Sequence, residues 1–270
     1  MKKEKFKQKY GPWALIAGGS QGIGEAFARV LAMKGINLVL VARRKPLLEK
    51  LSVEIEKTYG VEVRIISADL AELSTFNILK EHTMDIEIGT LVYNAAIVPI
   101  GLFLDFNMEE HLKAININCR GPAILIDHFG KLMKKREKGG IILISSMTGF
   151  QGTPLTAHYA ATKAYNIVLA EGLWYELRAH NIDVLACAAG ATNTPNYMAT
   201  EPDDPGFLVP EPMDPMKVAQ EAIAKLGKRP SFVPGITNKL VTFLIRRLIS
   251  RKQAIKLIGS STDNMYGKKI

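Results

Sequence analysis

Short apolar runs recur along this chain with an amphipathic stretch between each pair, and that alternation restricts the fold more than any other feature. The runs are Ala14–Ala17, Asn37–Val41, Val61–Ser67, Thr90–Asn94, Gly140–Ser146 and Ile182–Ala189, with Ser231–Pro234 a weaker seventh. Several are apolar on both faces, as strands covered by helices on both sides must be. The stretches between them, such as EAFARVLAMKG and PLLEKLSVEIEKTYG, space their apolar residues for one buried helical face. Strand followed by helix at this interval implies parallel strands joined by helical crossovers. The expected fold is therefore α/β, a doubly wound parallel sheet of about seven strands in three α/β/α layers.

The 270 residues, 47% of them hydrophobic, are enough for one large core, so residues 1–270 are read as a single domain. A formal charge of +9 raises the question of nucleic acid, and its distribution argues against that partner. Residues 1–10 hold five Lys and one Glu, and residues 236–270 hold eight Lys or Arg and one Asp. The two ends thus account for +4 and +7, which leaves −2 on the body between them. A groove-binding protein would carry its basic stripe on that body. MKKEKFKQKY is followed by no apolar run of the secretory type, and Leu240–Ile249 is short and interrupted by Arg246 and Arg247. Cys119 and Cys187 both lie in apolar patterns. These features predict a cytoplasmic protein with no stable membrane insertion.

The alternation fails once. Thr194 to Pro215 contains six prolines, too many for a helix or an interior strand. It follows the sixth strand, at the carboxyl edge where open α/β sheets bind ligands, and is read as a substrate-covering loop. The basic stretch from residue 236 to 270 has three readings: a helix over the cleft, an oligomer contact, or a weak surface anchor.

Between the first strand and its helix stands AGGSQGIG, with Gly18, Gly22 and Gly24. Small residues let backbone approach a ligand, and the helix N-terminus offers N–H groups and a positive dipole to a pyrophosphate. The second strand ends in VARRKP, with Arg43 and Arg44 and no carboxylate to accept from ribose hydroxyls. A guanidinium there favours a cofactor with an added phosphate, so NADP(H) is expected over NAD(H).

The GxxxGxG spacing resembles the short-chain dehydrogenase/reductase family, with its Rossmann-like fold, although Ala17 stands where that family has threonine. The resemblance extends to Asp69–Leu70, which match the family's adenine-pocket pair, and to LVYNAA, where Asn94 and Ala95 match and Tyr93 and Ala96 do not. AAGATNTP keeps Gly190, Thr192 and Thr194 while Ala189 replaces the family proline. The resemblance therefore implies cofactor contacts from Gly18, Ser20, Gly22, Ile23, Gly24, Arg43, Arg44, Asp69, Leu70, Asn94, Ala95, Gly190, Thr192 and Thr194, besides Tyr159 and Lys163.

Tyr159 and Lys163 are four residues apart in AHYAATKAYN, with Ser146 thirteen residues before the tyrosine and Asn118 in ININCRGP. The four align with the family's catalytic tetrad. Ketone reduction needs a proton on oxygen as well as a hydride on carbon. A lysine ammonium one helical turn away is expected to lower the tyrosine pKa, and Ser146 to hold the substrate oxygen. By resemblance, Lys163 also holds the nicotinamide ribose and Asn118 orients a water that links the lysine to solvent. The five histidines show no ligand spacing such as HExxH.

KYGPWALIAG and the segment from YELRAHNI to TPNYM are similar to two subgroups, the 3-oxoacyl-CoA reductases with 17β-hydroxysteroid dehydrogenases, and the bacterial 7β-hydroxysteroid dehydrogenases. A hydrophobic secondary alcohol or ketone follows as the expected substrate, with Ser146, Tyr159, Met147, Phe150, Tyr197 and Met198 as its contacts and Leu155 nearby. Family resemblance also implies a homodimer or homotetramer. Two other classes remain distinguishable by experiment. A non-catalytic NADPH-binding regulator would bind cofactor without turnover, and a nucleic-acid binder would show salt-dependent affinity.

Overall fold

The structure is a computed structural model that describes residues 3–203 and 210–267. Seven parallel strands form one sheet in the order β3-β2-β1-β4-β5-β6-β7. They are β1 (Trp13–Ala17), β2 (Asn37–Ala42), β3 (Val63–Ser67), β4 (Ile88–Tyr93), β5 (Gly139–Ser146), β6 (Ile182–Ala189) and β7 (Ser231–Phe232). All seven sequence-predicted strands are present, with ends moved by one or two residues and β7 cut to two.

Helices α2 (Gly22–Met33), α3 (Lys45–Tyr59), α4 (Ser74–Glu81), α5 (Met108–Ile115), α6 (Gly121–Arg136), α7 (Ala157–Glu176) and α9 (Pro215–Lys225) complete the layers. Strand residues alternate between two buried apolar clusters. Ile16, Leu38 and Ile142 face one, with Phe27 and Leu31 of α2. Leu15, Val39 and Ile141 face the other, with Leu125 and Phe129 of α6. Strands that must fill both clusters cannot alternate apolar with polar, which explains the continuous runs in the sequence. The chain reverses its direction of winding between β1 and β4. Their carboxyl ends diverge there and open a crevice.

Three elements depart from the sequence expectation. The first ten residues were read only as a basic end, yet Lys3–Tyr10 form a helix, α1. Phe6 and Tyr10, one turn apart, bury its inner face, and the Tyr10 hydroxyl donates to Asp183 Oδ2 at 2.5 Å. Within the proline-rich segment, Pro195–Met198 make a short helix, α8, because Thr194 Oγ1 accepts from the Tyr197 amide and proline is favourable in a first helical turn. Residues 204–209 of the predicted substrate loop lie outside the described residues. Finally, the basic tail folds into α10 (Ile236–Leu248) and α11 (Arg251–Tyr266), the second started by a Ser250–Gln253 capping box. Both helices line the crevice, as the cleft-covering reading of this stretch expects.

Candidate active site

One cavity of about 480 Å³ runs along the carboxyl edge of the sheet from the glycine loop to α10 and α11. Gly18 and Gly22 have φ of 82° and 60°, a region costly for residues with a Cβ. Space demands glycine as well. A Cβ on Gly18 would stand 2.7 Å from the Ala95 amide nitrogen, and one on Gly22 would stand 2.9 Å from Thr194 Cγ2. Gly24 does not line the cavity; it lets α2 pack onto the loop, because a Cβ there would run into the Gly18 carbonyl oxygen. That carbonyl accepts from Asn94 Nδ2 at 2.9 Å, which braces the loop from the end of β4. Gln21, the residue before α2, makes no side-chain cap; its amide donates to Asn196 Oδ1 instead. The first N–H groups of α2 are thus left to an anionic ligand.

At the far end of the loop, Ser20, Ile23, Arg43, Arg44, Asp69 and Leu70 form the wall. The Arg43 side chain is 60% exposed, with Nη1 4.0 Å from Asp69 Oδ2, so it is free to turn toward a phosphate. Asn94 and Ala95 line the middle, and Gly190, Thr192 and Thr194 line the opposite side after β6. The Thr192 hydroxyl donates to the Gly190 carbonyl at 3.0 Å. Glycine loop, basic edge and polar turn together fit the length and chemistry of a nicotinamide dinucleotide.

The chemical groups converge on the centre. Ser146 ends β5, while Tyr159 and Lys163 face it from the first turns of α7, and all three line the cavity. Lys163 is buried, with its ammonium donating to the Ile144 carbonyl at 2.8 Å and standing 5.5 Å from the Tyr159 ring centroid. Burial pushes the Tyr159 phenol up to about 12, against a smaller downward pull from its hydrogen bond with Ser146. Burial also pushes Lys163 down to about 8. The expected lowering of the tyrosine pKa by the lysine is therefore not produced by these protein groups alone. Desolvation dominates at both groups, raising the phenol and lowering the ammonium.

Asn118 is fully buried and does not line the cavity. It sits in a π-helical turn, Asn116–Arg120, between α5 and α6. Its side chain is fully engaged: Nδ2 donates to the Ile97 carbonyl at 2.9 Å and to Thr162 Oγ1 at 3.0 Å, and Oδ1 accepts from the Ile97 amide. Its carbonyl accepts from Asn166 Nδ2 at 2.9 Å. The asparagine thus ties the segment after β4 to α7 at Thr162, one turn after Tyr159 and next to Lys163. Tyr93, which departs from the family asparagine, has a place in the same arrangement. Its hydroxyl donates to the Ile117 carbonyl at 2.6 Å inside the π-turn and occupies the space a Cβ on Gly121 would need.

Of the sequence-predicted substrate contacts, Met147, Phe150 and Tyr197 line the cavity with Ser146 and Tyr159. Met198 does not: it is 56% exposed on α8, because a four-residue helix turns it away when Tyr197 faces inward. Leu155 is buried behind the wall, its backbone at φ 59°. The sequence offered a helix over the cleft for this stretch but not its lining residues: Asn238, Val241 and Ile245 of α10, and Leu257, Ile258 and Met265 of α11. The i, i+3, i+7 spacing of the first three was the available signal. His158, adjacent to the tyrosine, packs against His111 and Phe103, with ring centroids 4.8 and 5.8 Å away.

A parallel sheet with this loop, this tyrosine–lysine turn and this serine defines a class, and residues 12–205 match the short chain dehydrogenase family. The chain belongs to that family of alcohol–ketone oxidoreductases. It is 33% identical over 260 residues to a 7β-hydroxysteroid dehydrogenase of Clostridium sardiniense, covering 96% of this chain and 99% of that enzyme. A solved structure from work on 7β-hydroxysteroid dehydrogenase stereoselectivity superposes with a TM-score of 0.88 at 29% identity, over 94% of this chain and 98% of the other. A short-chain dehydrogenase from Sphingobium yanoikuyae in complex with NADPH superposes at 0.75 with 30% identity, over 83% and 86%.

Proposed function

We propose that this protein interconverts a hydrophobic secondary alcohol and its ketone, of hydroxysteroid or 3-oxoacyl type, with NADP(H) as cofactor. One observation carries the reading: Ser146, Tyr159 and Lys163 open into the same cavity as the glycine loop and an apolar wall from α10 and α11. NADPH, when bound, supplies the hydride. Ser146 donates to the ketone oxygen, and Tyr159 gives that oxygen its phenolic proton as the carbon is reduced. Lys163 holds the ribose and, through its charge, stabilises the phenolate that Tyr159 becomes as it gives up its proton. Asn118, with its side chain already engaged, acts through its position, keeping α7 and the adjoining water path in register.

The NADP preference rests on Arg43 and Arg44 at the end of β2, where an NAD site carries an acid, and on the NADPH-bound neighbour. Residues 1–270 are read as one catalytic domain. A second copy of the chain is the proposed protein partner. Leu104, Met108, Leu112 and Ile115, on and before α5, are exposed apolar residues, as are Tyr165 and Val168 of α7, and light scattering reads the resulting dimer or tetramer directly. A cytoplasmic setting fits two free cysteines and the finding that no helix among the described residues is long and apolar enough to cross a membrane.

Tyr159→Phe removes only the acid. Turnover of a ketone panel, followed by NADPH absorbance, is expected to fall by more than about a thousandfold with NADPH affinity retained. Turnover by the variant at the wild-type rate would refute the assignment.

A further inference from the structure

The cleft carries positive charge at both ends and at its centre, against one acid, Asp69, in its described lining. Arg43 and Arg44 stand beside Asp69 at the adenosine end, and Lys163 is buried at the centre. The remaining cation, Arg246 of α10, stands at the other end and has no part in the chemistry described so far. Its guanidinium lies 4.3 Å from the Phe150 ring centroid, a contact that holds it over the cleft. Among the described residues no carboxylate comes within ion-pair distance of it. Arg246 is exposed at the cavity's edge, and Val241, Ile245, Leu257 and Met265 are apolar members of the same lining, beside Thr242 and Ser261. A guanidinium in that setting keeps its donors available to a ligand anion.

Helix α10 places that cation along the cleft. Asn238, the first of its two buried residues, packs so closely on Gly190 that a Cβ there would stand 2.8 Å from Asn238 Nδ2. Gly190 follows β6, beside the strand that ends in Ser146. Arg246 comes eight residues after Asn238, which is about 12 Å along a helix rising 1.5 Å per residue. Ser146, Tyr159 and Arg246 line the same cavity, so a substrate whose oxygen is held by the first two can extend along that lining to the guanidinium.

We propose that Arg246 is a specificity subsite for an anionic group of the substrate, carried on a hydrophobic body away from the reacting carbon. This rests on the oxidoreductase reading and narrows its substrate class to amphipathic, anion-bearing ketones and alcohols. Phe150 fixes the guanidinium beforehand, so less freedom is lost when the anion docks. Carboxylate and phosphate share the required chemistry.

The test uses the full chain with NADPH and three ketones: a keto-steroid with a side-chain carboxylate, its methyl ester, and a 3-oxoacyl thioester of coenzyme A. Turnover and calorimetric binding are measured for the wild type, Arg246→Met and Arg246→Lys. The methionine variant is expected to raise KM about fivefold for the anionic ketone the site serves, with kcat unchanged and the ester unaffected. Lysine is expected to restore most of the loss, and 0.5 M salt to erase the wild-type advantage. A loss confined to the steroid acid assigns carboxylate, and one confined to the thioester assigns phosphate; either supports the subsite. Equal affinity of the wild type for acid and ester, with no effect of Arg246→Met on acid or thioester, would overturn it while leaving the oxidoreductase reading intact. A methionine variant that weakens acid and ester alike also overturns it, since only packing was then lost. Failure of the wild type to bind or reduce any of the three overturns the subsite and the hydrophobic-ketone reading together.

Discussion

Lys163 is a buried ammonium, and its effect on stability can be worked out. Burial lowers its pKa from 10.5 to about 8. At neutral pH that corresponds to about 3 kcal/mol of disfavoured charge in the folded protein. Lys163→Met removes this cost and also removes the ammonium's hydrogen bond to the Ile144 carbonyl, worth about 1 kcal/mol. The variant without cofactor is therefore expected to be more stable than the wild type by about 2 kcal/mol at pH 7, or about 5 °C in Tm. The pH dependence gives the sharper test. Below pH 8 the lysine is protonated both folded and unfolded, and the wild type bears the full cost. Between pH 8 and 10.5 the folded protein has released the proton while the unfolded chain still holds it, so wild-type stability rises with pH. The advantage of the methionine variant should shrink across that window and reverse above it, by the roughly 1 kcal/mol of the lost hydrogen bond. Urea unfolding of both proteins from pH 7 to 10.5 measures this. A variant less stable than wild type at pH 7, or a difference that does not change with pH, would refute the reasoning. The same substitution is expected to abolish turnover and weaken NADPH binding, so that stability and function move in opposite directions.

Three further substitutions test other parts of the site. Arg43→Leu should weaken NADPH binding at least tenfold, by about 1.4 kcal/mol or more, and leave NADH affinity within about a factor of two, as read by fluorescence titration with each cofactor. Gly121→Ala should cost about 3 kcal/mol, because the new methyl takes the place of the Tyr93 hydroxyl. Tyr93→Phe alone should cost about 1.5 kcal/mol through the unpaired Ile117 carbonyl. The double variant should be more stable than the sum of the two losses predicts, and strict additivity in denaturant unfolding would show that hydroxyl and methyl do not compete.

The sequence by itself determined the sheet and the chemical groups. Seven apolar runs became seven parallel strands because a strand covered on both faces has to be apolar throughout, and that pattern is visible without coordinates. The glycine loop was equally legible, since Gly18 and Gly22 adopt positive φ that other residues resist. Ser146, Tyr159 and Lys163 were legible only through resemblance to the family's motif, since a tyrosine and a lysine one helical turn apart decide nothing alone; the fold brings all three to one cavity.

Only the tertiary structure decided what surrounds them. The placement of α10 and α11 across the cleft depends on contacts such as Asn238 against Gly190, between residues nearly fifty positions apart, which no local pattern encodes. The same is true of Asn118, whose side chain is consumed by Ile97 and Thr162, and of Met198, turned to solvent by one short helix. Even the charge state of the pair was a tertiary matter. A tyrosine and a lysine one turn apart suggest mutual stabilisation, but burial raises one pKa and lowers the other, and the depth of burial is set by everything packed around them.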